Sequence, residues 1–85
     1  MEAMARREDL TRAVNLAIGG DWKGAHKLVQ QDEADPSSCW LHAVLHKIEG
    51  DTANAHYWYR RAGRSYEAYP DAKAELAAIK AALTD

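Results

Sequence analysis

Apolar residues recur along this chain at helical spacing, in five stretches separated by glycine, aspartate and proline. Leu10, Ala13, Val14, Ala17 and Ile18 lie three or four residues apart, so they share one face of an α-helix. Gly19-Gly20 stops that helix, because glycine takes a left-handed cap without strain. Asp21 then suits an N-cap, and Trp22, Ala25, Leu28 and Val29 form the stripe of a second helix. Asp35-Pro36-Ser37-Ser38 breaks the chain. Leu41, Val44, Leu45 and Ile48, with Trp40 beside them, mark a third helix that Gly50 stops. Asp51 caps a fourth, with Ala55, Trp58, Tyr59 and Ala62 inward. Gly63 is expected to end it, although Tyr66 and Tyr69 continue the spacing. Pro70 fits the first turn of a fifth helix carrying Ala72, Leu76, Ile79 and Leu83, with Lys73, Glu75 and Lys80 on its opposite, polar side.

The first four helices form two copies of one unit. Displaced by thirty residues, Ala13 falls on Ala43, Val14 on Val44, Ile18 on Ile48 and Gly20-Asp21 on Gly50-Asp51. Ala25 and His26 fall on Ala55 and His56. Self-similarity at this period marks stacked supersecondary units. The expected fold is therefore all-α: two antiparallel helix–turn–helix hairpins, over about residues 8–36 and 38–66, and a C-terminal capping helix over about 70–83. At 85 residues, one domain is the expectation.

Composition narrows the function classes. A net charge of −2 argues against nucleic-acid binding, which needs a basic face, and against a basic membrane-surface helix. No apolar run approaches the roughly 20 residues that span a bilayer. The charged start, Met1 to Arg7, leads into no signal-peptide core, so a cytoplasmic protein is expected. The single cysteine, Cys39, excludes an intramolecular disulfide and a cysteine-rich zinc site, and reads as a small apolar thiol.

Gly50-Asp51 followed by Ala55, Tyr59 and Ala62, with the small Ala43 on the preceding helix, resembles the tetratricopeptide repeat and its Sel1-like relatives. The first unit matches at Ala13, Gly20, Asp21 and Ala25. The period of thirty is shorter than the family's usual spacing of about 34. His42 and His46 stand where that family tends to place leucine and tyrosine. The resemblance implies a scaffold or adaptor binding a peptide or partner protein, with Arg7, Leu10, Ala17, Trp40 and Lys47 lining the groove.

Two sets of side chains could carry chemistry. His42, His46 and Glu49 are spaced i, i+4, i+7 on one helix face, a spacing that can hold zinc through two imidazoles and a carboxylate. His56 is expected to approach the same place. Such a site could be hydrolytic, although Ala43 stands where a zinc protease has its glutamate. The competing reading is packing, with the imidazoles bonded to Tyr59, Asn54 or backbone. His26 and His56, as equivalents, are expected to be structural.

The second set is Tyr57, Arg60, Arg61 and Arg64 around the inward Trp58 and Tyr59. Tyrosine and arginine dominate protein–protein hot spots. No motif assigns a reaction, and a non-enzymatic role is expected. Two hairpins and one helix lie near the limit of about three units that a repeat array needs, so a homodimer that buries an end or groove is a further expectation.

Overall fold

The computed structural model describes residues 2–84, with side chains from Arg7 onward. Five α-helices follow one another: α1 Glu2–Ile18, α2 Trp22–Val29, α3 Pro36–Glu49, α4 Thr52–Ala62 and α5 Ala72–Thr84. A single 3-10 turn, Tyr66–Ala68, lies between α4 and α5. There is no strand among the described residues. None of these helices is long and apolar enough to cross a membrane.

The two hairpin turns are built alike. Gly20 (φ +93°) and Gly50 (φ +85°) are left-handed, and the next residue returns its amide to the closing helix. Asp21 N–H donates to Leu16 O at 2.8 Å and Asp51 N–H to His46 O at 2.9 Å, which satisfies carbonyls the helix end would orphan. The Asp21 carboxylate then accepts from Gly24 N–H and that of Asp51 from Asn54 N–H. No atom beyond the chain neighbours of Gly50 would meet an added Cβ, so its constraint is conformational. Gly50→Ala is expected to lower stability by about 1–2 kcal/mol with helicity retained, measured by urea denaturation.

Pro36 is the first residue of α3, with Asp35 capping it through Ser37 N–H at 2.7 Å and Ser38 N–H at 3.2 Å. Pro70 differs from expectation. It lies before α5, whose first-turn amide, Ala74 N–H, is capped by Asp71 at 2.7 Å. Tyr66 belongs to the 3-10 turn and does not extend α4.

Helix α3 is the central element. It contacts α1, α2, α4 and α5, and every residue from Ser38 to His46 is buried. A helix wrapped on all sides must take in polar residues as well as its apolar stripe. Ser38 solves this by donating from Oγ to Val29 O at 3.2 Å.

Helix α5 packs on α1 and α3. This overturns the expectation that Glu75 faces solvent: it is 1% exposed. Its carboxylate accepts from Trp40 Nε1 at 2.9 Å, from Tyr59 OH at 2.8 Å and from Lys47 Nζ at 3.2 Å. Burial, followed by this carboxylate, pushes the Tyr59 hydroxyl pKa far up, so it stays a donor. Lys47 also donates to Tyr66 O and Tyr69 O, tying the linker to α3. At the other end of α5, Arg7 donates to Leu83 O at 2.8 Å.

Candidate functional site: a histidine cluster and an apolar cleft

His42 and His46 are one turn apart on α3, and α2 brings His26 against them. The ring centroids of His42 and His46 are 5.0 Å apart and nearly parallel. The His26 ring stands edge-on to both, at 4.9 and 5.3 Å. One nitrogen from each of the three lies within 4.8 Å of the others. Two tryptophans wall the cluster. Trp58 of α4 stacks on His42 at 3.9 Å, and Trp22 stacks on His26 at 4.5 Å with its edge toward His46. The Trp22 indole is held in place by donating to Leu45 O at 2.7 Å.

The polar atoms of the cluster divide into two kinds. His46 Nδ1 lies 2.6 Å from Glu49 Oε2, a bond on the edge of the site. His26 Nε2 and His42 Nδ1 are buried without a hydrogen-bond partner. Burial drives the His42 pKa down to about 3, with His46 and His26 adding to the shift. The His26 pKa is lowered too, first by burial and then by His46.

The sequence placed Glu49 beside His42 and His46 as a third ligand and expected His56 nearby. The structure brings His26 to the two rings, and Glu49 sits on His46. His56 stacks on Tyr66 at 4.5 Å, away from the cluster. Its equivalence to His26 breaks down because their neighbours differ. Helix α2 meets the following hairpin's α3, whereas α4 meets the 3-10 turn where a third hairpin would stand.

The residues expected to meet a partner are distributed as follows. Trp40 is buried, and the Arg64 guanidinium lies 3.4 Å from its ring centroid. Arg61 donates to Glu33 O at 2.9 Å and lies over Trp58 and the exposed Tyr57. Arg60 is exposed on α4. Burial pushes the Cys39 thiol pKa up, as an inert buried thiol requires.

Helix α5 lies along most of the groove that the repeat resemblance implies. Arg7 bonds to its last turn, Leu10 is buried, and Trp40 and Lys47 bond to Glu75. Ala17 borders what stays open, an apolar cleft of about 340 Å3. Ile18 of α1, Ile48 of α3 and Ala72, Leu76 and Ala77 of α5 line it, together with Lys73. These two isoleucines are 48% and 46% exposed, unusual for residues of their size.

Comparison with protein-family models, with curated proteins and with solved structures finds no match for this chain.

Proposed function

We propose that this chain is a protein-interaction module of the tetratricopeptide kind, which docks an apolar segment of a partner protein between α1, α3 and α5. The observation that carries this reading is the exposure of both Ile18 and Ile48 in the lining of one cleft. Large apolar side chains grouped at the surface mark interaction sites, whereas single ones do not. The first, third and fifth helices meet at this cleft, and Ala17, one of the residues the resemblance puts in the groove, borders it. Lys73 in the lining favours an acidic residue beside the partner's apolar side chains.

A peptide library selected on the full chain tests this. The enriched peptides are expected to pair an aliphatic or aromatic residue with an acidic one. The double substitution Ile18→Ser, Ile48→Ser should weaken them about tenfold or more, a loss of roughly 1.4 kcal/mol, with the circular dichroism spectrum unchanged. Peptides that bind the double variant as tightly would overturn the reading. Light scattering across a concentration series separates the other occupant. A dimer that the same substitutions turn into a monomer would assign the cleft to a second copy of the chain.

A further inference from the structure

The docking cleft makes no use of the histidine cluster. Imidazoles kept for packing find hydrogen-bond partners, yet the side chains available for that role are committed elsewhere. The Tyr59 hydroxyl serves Glu75, and the Asn54 side chain bonds Asp51. His42, 3% exposed, is left with a buried nitrogen and no partner, and His26 shares this condition within the same cluster. Buried polar atoms are rarely left unpaired, and two together point to a ligand that accepts lone pairs.

We propose that His26, His42 and His46 form a three-imidazole site for a divalent transition-metal ion of the zinc class, with Glu49 as its positioning residue. Three histidines around a tetrahedral ion leave a fourth position for water or an exogenous ligand. Nitrogens bound to one zinc at about 2.0–2.1 Å stand roughly 3.4 Å apart. The three present nitrogens lie within 4.8 Å of one another, so binding requires them to close by roughly an ångström. Two of them come from adjacent turns of the most buried helix, so the site rests on a rigid element.

Glu49 acts through His46. Its carboxylate holds Nδ1–H at 2.6 Å, which fixes the ring and leaves Nε2 as the lone-pair nitrogen. Imidazole ligands without a carboxylate among them favour zinc, cobalt, nickel or copper over magnesium or calcium.

The test is a zinc titration of the full, tag-free chain, watched through the histidine ring signals and by competition with a chromogenic chelator. The His26, His42 and His46 rings are expected to shift together up to one equivalent, with the His56 ring unmoved and magnesium without effect. His26→Gln, at a half-buried position, should keep the helical spectrum and lose stoichiometric binding. Glu49→Gln should leave the metal-free melting temperature unchanged, alter the His46 ring nitrogen shifts, and weaken zinc by about tenfold to 100-fold. Rings that ignore equimolar zinc, a His56 response as large as the others, or unchanged affinity in His26→Gln would each overturn the site. The Ile18→Ser, Ile48→Ser variant should bind zinc as the parent does, so this inference and the docking reading fail independently.

Discussion

Glu75→Ala is expected to remove about 3–5 kcal/mol of stability, the usual consequence of deleting one partner of a buried ion pair. The substitution leaves the Lys47 ammonium, whose side chain is 12% exposed, with carbonyl acceptors but no counter-charge, and takes the acceptor from Trp40 Nε1 and Tyr59 OH. A chain of 85 residues has roughly 4–13 kcal/mol in all, at about 0.05–0.15 kcal/mol per residue. The variant should therefore melt about 15–30 °C lower or fail to fold. Glu75→Gln keeps an acceptor oxygen and most of the shape, so it should lose less. Lys80→Ala, at an exposed position of the same helix, should stay within about 0.5 kcal/mol of the parent. Thermal melts of the three variants decide the matter. A Glu75→Ala melt within a few degrees of the parent would contradict the buried network.

Acid should destabilise the metal-free protein through the histidine cluster. His42 titrates near 6.5 when unfolded and near 3 when folded. As the pH falls below 6.5, the unfolded chain takes up a proton that the folded chain refuses, so the balance moves toward unfolding. Stability is full above the unfolded value and erodes steadily down to the folded one. For His42 alone the loss between about pH 7.5 and pH 4.5 is about 2–3 kcal/mol. His26, lowered in the same direction, adds to it. The groups facing His42 are His26 from α2, His46 from its own helix and Trp58 from α4, and none of them is an acid that would hold a charged ring. Urea denaturation across this range, with a chelator present, measures the slope. His42→Leu should flatten it, and a parent protein equally stable at pH 7 and pH 5 would sink the prediction. Saturating zinc should steepen the slope, because protons then compete with the ion for all three rings.

Much of the local architecture is readable from single residues. Gly20-Asp21 and Gly50-Asp51 announce their turns, because a left-handed residue followed by a capping carboxylate is decided within a few positions. The position of Glu75 was legible but its environment was not. It lies three residues after Ala72 and four before Ile79, so spacing alone puts it on the apolar seam of α5, while its charge argues for solvent. Burial prevailed because Trp40, Tyr59 and Lys47, from two other helices, converge on it as donors. The histidine cluster was half legible. His42 and His46 share a face by spacing, but His26 joins them only through the packing of α2 on α3.

The sequence by itself determined the helices, their stops and the pairing of neighbours into hairpins, since caps and 3.6-residue periodicity act within a turn or two of the chain. Only the tertiary structure decided where α5 lies, that it covers Trp40 and Lys47, and which histidine completes the trio. Those outcomes depend on contacts between residues tens of positions apart, where several arrangements bury similar apolar area and the satisfaction of a few buried polar groups selects among them.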